Sequence, residues 1–80
     1  MANYKTRKAR KKVLTDAYNK LTEVYTAVNE VLADEEDAFD SLSENAQESE
    51  RGEELQERID NLYEVASNLE EAIDTLGDIT

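Results

Sequence analysis

The sequence predicts an all-α protein, an antiparallel two-helix coiled-coil hairpin that dimerises into a four-helix bundle. Three observations carry that expectation. Apolar residues recur at alternating steps of four and three along two separate stretches, a polar stretch without seam residues divides them, and the 80 residues hold no proline and only two glycines. The spacing is that of a heptad seam, and a composition rich in helix formers without breakers belongs to long helices. A chain of this length makes one domain at most, with too little buried surface for a large enzyme fold.

The chain divides into a basic N-terminal arm, 1-12, that continues into the first helix, and an acidic helical hairpin, 13-80, with its turn at about 42-49. The first helix is expected near 5-41. Its seam places Tyr18, Tyr25, Leu32 and Phe39 at heptad position a and Leu14, Leu21, Val28 and Leu42 at d, with Glu35 the one misfit at d. The second helix is expected near 45-77. There Leu55, Leu62, Leu69 and Leu76 occupy d and Ile59, Ala66 and Ile73 occupy a, without exception. Between the seams, Ser41 to Ser49 is polar and offers capping-box spacings at Ser41 and Glu44 and at Asn45 and Glu48. Gly77 is expected to close the second helix from the position after its C-cap, leaving Asp78, Ile79 and Thr80 to fray.

A short connection favours antiparallel neighbours. Pairing positions whose numbers sum to 94 gives Tyr18 with Leu76, Tyr25 with Leu69, Leu32 with Leu62 and Phe39 with Leu55, and only Glu35 against Ile59 breaks the apolar layers. A slip of one heptad, to a sum of 87, brings Glu35 near Arg51 instead but sets Phe39 against Glu48, so the first register is favoured.

The first helix also carries Ala17, Val24, Val31 and Ala38, one place before each a residue, and Val65 and Ala72 lie on the same flank of the second. A stripe three positions wide per heptad is broader than a two-stranded seam needs. Self-association is therefore expected through Ala17, Val24, Tyr25, Val31 and Ala38, giving a homodimeric bundle with helices crossing at about 20°. The alternative is a monomer whose tyrosines cover its single seam.

Charge is unevenly placed. Lys5, Arg7, Lys8, Arg10, Lys11 and Lys12 give the arm +6, and the rest of the chain sets 20 acidic against 3 basic groups, for a total of −11. Asp16, Glu23, Glu30, Asp37 and Glu44 recur seven apart at position f of the first helix, and Glu50, Glu57, Glu64, Glu71 and Asp78 do so on the second. Position f faces solvent and is polar on any account. A merely solvated face usually mixes Lys with Glu, however, and like charges at helical spacing destabilise. Spread along a rod of about 45-50 Å, −17 amounts to about one net charge per 3 Å, and to about one per 1.5 Å in a side-by-side dimer. Duplex DNA carries one per about 1.7 Å of axis. The stripes are thus the expected partner-binding surface, suited to a partner with a basic surface and capable of nucleic-acid mimicry.

The arm opposes its own helix dipole, because positive charge is unfavourable at a helix N-terminus. In the hairpin it is expected beside Asp74 and Asp78 at the end of the second helix. The alternatives are a short phosphate-binding arm and a head-to-tail contact with the acidic body of another copy. Direct nucleic-acid binding is expected only through this arm, and a nuclear-import signal would look similar.

The inventory argues against catalysis. There is no histidine and no cysteine to serve as base, nucleophile or soft metal ligand. Paired carboxylates would need a cleft that a thin bundle does not offer. Asp34, Glu35, Glu36, Asp37 and Asp40 invite a calcium reading, but the sixth place of such a loop, a glycine in EF-hands, is Phe39. No enzyme activity, metal or cofactor is expected. No apolar run approaches a secretory or membrane-spanning segment, so a cytoplasmic location away from membranes is expected.

The run Asp34-Glu35-Glu36-Asp37-Ala38-Phe39-Asp40-Ser41-Leu42, then Gln47-Glu48-Ser49-Glu50-Arg51-Gly52-Glu53 and an acidic Leu/Ile heptad, resembles small acidic helical proteins encoded by bacteriophages and prophages. The resemblance extends over roughly residues 10-77, including Asp60-Asn61-Leu62 and Leu69-Glu70-Glu71-Ala72-Ile73. In such proteins the turn often contains a proline, near the place where this chain has Ser43. The resemblance implies a non-enzymatic accessory protein acting in the host cytoplasm by binding a host protein. The alternative from a different class is a structural or assembly coiled coil that works through its apolar face.

Overall fold

The computed structural model describes residues 4–80, and the first three residues of the basic arm lie outside the described residues. The described chain is all-helical, with no strands. Helix α1 spans Arg7–Asp40, a single-turn helix α2 spans Glu44–Gln47, and α3 spans Glu50–Ile79. Helices α1 and α3 run alongside each other for most of their length, giving a particle of 60 × 20 × 18 Å.

Cross-helix contacts fix the direction and register of the pair. Tyr18 lies against Gly77, Tyr25 reaches Glu70, and Glu35 pairs with Arg58. These position numbers sum to between 93 and 95, so the helices are antiparallel and the seam follows the register favoured by the sequence rather than the one-heptad slip. Tyr63, whose long side chain leans along the helix to Glu36, closes the opposite flank with a hydroxyl donating to Glu36 Oε2 at 2.8 Å. The core is thin. Leu32, Ile59 and Ala66 are the buried hydrophobic side chains among the described residues, and the remaining seam residues are half-buried. Two helices can cover only one face of each other, so this exposure is inherent in a lone hairpin.

Glu35, the misfit at d, is resolved by chemistry rather than by register. Its side chain is only 17% exposed, and its Oε1 accepts from Arg58 Nη2 at 2.5 Å, from a guanidinium that stays 68% exposed. The charged pair caps the seam at its edge, where water still solvates the arginine.

The reversal between the long helices is tighter and more ordered than a plain polar turn. Ser41 is the C-cap of α1, and its hydroxyl donates back to the Asp37 carbonyl at 2.8 Å. Ser43 caps α2 by accepting from the Ala46 amide, and Ser49 caps α3 by accepting from the Gly52 amide. These serines satisfy donors that helix N-termini leave unpaired. They replace the expected Ser41 and Asn45 caps: Ser41 ends a helix instead of starting one, and Asn45 lies inside α2. The Gln47 side chain donates to the carbonyls of Phe39 and Leu42 at 3.1 and 3.4 Å, tying α2 to the last turn of α1.

Both glycines serve close approach. A Cβ on Gly52 would stand 2.2 Å from the Gln47 carbonyl oxygen and 2.5 Å from that of Ala46, so only hydrogen fits where α2 folds onto the first turn of α3. Gly77 does not end its helix. It has no positive φ, α3 continues to Ile79, and Thr80 is the C-cap. What Gly77 provides is room for the Tyr18 ring, whose Cε2 would lie 3.2 Å from an added Cβ.

Candidate functional site

Three surfaces are built on this frame: the carboxylate stripes, the apolar flank and the basic arm. The stripes follow from periodicity. With the a and d residues turned toward the facing helix, every seventh residue at f is carried to the far side. Asp16, Glu23, Glu30 and Asp37 on α1 are all exposed, as are Glu50, Glu57, Glu64 and Glu71 on α3. Glu44 opens α2 and Asp78 ends the second series, both exposed. Each stripe runs along its own helix, so the two face outward in opposite directions and no single pocket gathers them.

Among the described residues one ion pair is formed, that of Arg58 with Glu35. None of the f-position carboxylates forms an ion pair among the described residues, although Lys12 and Lys20 stand one turn to either side of Asp16 and Lys20 lies one turn before Glu23. At 1.5 Å per residue, carboxylates seven apart recur about every 10.5 Å, close to the Debye length of about 8 Å at physiological salt. Their mutual repulsion is damped there, while the summed field of the rod persists toward a large basic partner. No three carboxylates among the described residues come close enough to hold a metal ion, and Asp34, Asp37 and Asp40 are all exposed on α1.

The apolar flank lies at position g of both helices. Antiparallel pairing brings the two g rows to the same side of the hairpin, so the expected self-association residues of α1 adjoin their counterparts on α3. Val24 and Val31 are 48% and 49% exposed, Val65 is 44% and Ile79 66% exposed. Ala38 and Ala72 are exposed, Ala17 is half-buried, and Tyr25 is half-buried in the seam with its hydroxyl 3.5 Å from Glu70 Oε2. Among the described residues, four of the six large hydrophobics that stand exposed thus share one flank, the others being Tyr4 and Tyr63. At the turn end of the same flank an open groove of about 330 Å³ runs between Glu35, Ala38, Arg51, Glu54, Leu55 and Arg58.

The basic arm starts at Lys5, outside the helix. Thr6 caps α1 by accepting from the Ala9 amide at 3.0 Å, a cap the sequence reading did not single out. Arg7, Lys8, Arg10, Lys11 and Lys12 then occupy the first turns of α1, exposed like Lys5, and Arg10 donates to the carbonyls of Lys5 and Thr6. The expected pairing with Asp74 and Asp78 is not formed. The reason is the register: Tyr18 lies level with Gly77, so Thr80 is level with about Thr15 and residues 7–12 extend past the end of α3.

On the other flank, Tyr63 is tied to Glu36. The hydrogen bond to that carboxylate, shielding of the ring from water and the carboxylate's negative charge, in that order, raise the Tyr63 pKa above the ordinary 10.0. No described helix is long and apolar enough to cross a membrane. Comparison of the chain with protein-family models, with curated proteins and with solved structures finds no match in any of the three.

Proposed function

We propose that this chain is a non-enzymatic, phage-type accessory protein that dimerises into a four-helix bundle and binds a host protein through its acidic outer faces. The observation that supports it is the row of exposed carboxylates at f on both long helices, none of which forms an ion pair among the described residues. A partner whose basic surface ordinarily holds nucleic acid fits such a rod, because recognition by regularly spaced anionic charge is what the two ligands share. The cytoplasm of the host is where that partner would be met.

The apolar flank favours a second reading, a structural coiled coil whose only task is assembly. Salt separates the two. Association through exposed carboxylates weakens steeply as salt rises, whereas association through Val24, Val31 and Val65 is largely indifferent to it. Immobilised protein challenged with bacterial lysate, and then with a rising salt gradient, should release its partner well below molar salt. A partner retained through molar salt would favour the assembly reading.

A further inference from the structure

The proposed dimer, on which this inference rests, admits two symmetric ways of stacking the apolar flanks. If the two-fold axis runs along the hairpin, both basic arms meet at one end and both turn regions at the other. If the axis crosses the hairpin, each arm lies over the turn region of the other copy. Charge decides between them. Residues 5–12 carry six basic groups and no acid, whereas residues 34–60 carry twelve acidic and two basic groups. The first arrangement doubles both like-charged ends, and the second pairs opposites.

The flank has its own register, and it agrees. Placing the axis at Val24 sets Val24 against the second copy's Val24 and Val31 against the second copy's Ala17. On α3 the same axis falls near Ala72, which lies within about two residues of the level of Val24 in the hairpin, and sets Val65 against the second copy's Ile79. Each of these six residues meets an apolar residue, and Val24, Val31, Val65 and Ile79 are exposed hydrophobics that a lone hairpin leaves uncovered. Continuing along α1, Arg10 arrives opposite the second copy's Ala38, within one helical turn of Asp34 and Asp37. The full length of α1, about 51 Å at 1.5 Å per residue, takes part. On α3 only residues 65–79 find a counterpart, about 22 Å, so with each helix taking half of a hairpin about 20 Å wide the covered footprint is roughly 700 Å² per copy, close to the figure of about 800 Å² per partner in a standard stable interface.

We propose that two hairpins stack head to tail through this flank, about an axis at Val24 and near Ala72, so that each basic arm is held on the acidic turn end of the other copy. The arm is then an assembly latch, and apart from Asp37 at the turn end, which lies beside the arm, the f-position carboxylates of both copies remain on the outside.

The chain has no cysteine, so single cysteines report the geometry cleanly. Ala17→Cys and Val31→Cys proteins, each oxidised alone and then as an equimolar mixture, should form disulfide-linked dimers in the mixture and few or none separately. If each links to itself and mixing adds no dimer joining position 17 to position 31, the copies are parallel and the head-to-tail proposal falls, while the dimer reading stands. A monomer in sedimentation equilibrium throughout the micromolar range removes both. Reversing the arm with Arg7→Glu, Arg10→Glu and Lys11→Glu should weaken dimerisation at low salt at least tenfold. Adding Asp34→Lys and Asp37→Lys to that protein should restore it. An unchanged dimerisation constant on arm reversal overturns the latch.

Discussion

The replacement of Gly52 by alanine is a sharp test of how the turn is built. In an unobstructed helix interior this change stabilises by about 0.8–1.0 kcal/mol, because alanine is the better helix former. At position 52 the new Cβ would lie 2.2 Å from the Gln47 carbonyl oxygen and 2.5 Å from that of Ala46. Both are backbone atoms, so neither can swing aside as the end of a flexible side chain would. Relief requires lifting α2 from α3, which pulls the Ser49 hydroxyl from the Gly52 amide and strains the Gln47 bonds to Phe39 and Leu42. Overpacking costs about 1–3 kcal/mol and a weakened N-cap about 1 kcal/mol. Against the propensity gain, a net loss of about 1–3 kcal/mol remains. In a domain of this size each kcal/mol shifts the melting temperature by about 4–8 °C, so Gly52→Ala should melt about 5–20 °C lower by far-ultraviolet circular dichroism. Protein concentrations must be matched, since the proposed dimerisation would make the midpoint concentration-dependent. Gly77→Ala is the control. Its Cβ would stand 3.2 Å from Tyr18 Cε2, a ring edge that can move by a few tenths of an ångström, so its effect should stay within about 1 kcal/mol. A Gly52→Ala protein that melts at or above the parent would refute the close approach of α2 to α3.

Further outcomes follow from the seam and the charge. Glu35→Leu replaces a mostly buried carboxylate at d and should stabilise the hairpin by about 1 kcal/mol in urea unfolding, whereas Arg58→Ala, which strands that carboxylate, should destabilise by about 1 kcal/mol or less because the arginine is largely exposed; the reverse order would contradict the pair's geometry. Tyr63 should titrate above the ordinary tyrosine value in ultraviolet absorbance, and Glu36→Gln should bring it back toward that value. Because its pKa is higher in the folded state, the Tyr63–Glu36 contact supports the fold fully below the unfolded value near 10.0 and loses that support as pH rises through the folded value. The difference in stability between the parent and Tyr63→Phe should accordingly shrink in strong alkali. Raising salt should increase the melting temperature of the parent protein, since the carboxylates repel one another and only Glu35 is paired among the described residues; a fall would show that unrecognised ion pairs dominate.

The long helices were legible because periodicity reports which face each residue takes, and two uninterrupted seams leave little choice of fold. The register was legible for the same reason, since only one slip keeps the layers apolar. The turn was not. In Ser41-Leu42-Ser43-Glu44-Asn45-Ala46-Gln47-Glu48-Ser49 several residues have capping chemistry, and spacing alone cannot tell which serine ends a helix and which begins one. Gln47 acts across eight residues and Gly52 through a tertiary approach, neither of which leaves a local signature. Gly77 misled because a glycine near the end of a heptad stretch usually marks a C-cap; here a tyrosine ring on the other helix explains it. The stripes were readable residue by residue, yet the reach of the arm past α3 needed the register and the end of α3 together.

The measurement that bears most directly on the proposed function compares retention of the lysate partner by four proteins at low and at physiological salt. They are the parent, the triple variant Glu57→Gln/Glu64→Gln/Glu71→Gln, the triple variant Glu23→Gln/Glu30→Gln/Asp37→Asn, and Val24→Glu. All six stripe residues are exposed and turned away from the seam, so both triples should remain helical, and relief of like-charge repulsion should leave them as stable as the parent or more so. The account predicts that the partner kept by the parent is lost from at least one triple at both salts. Full retention by both triples, with loss on Val24→Glu, would contradict it and leave assembly through the apolar flank as the function.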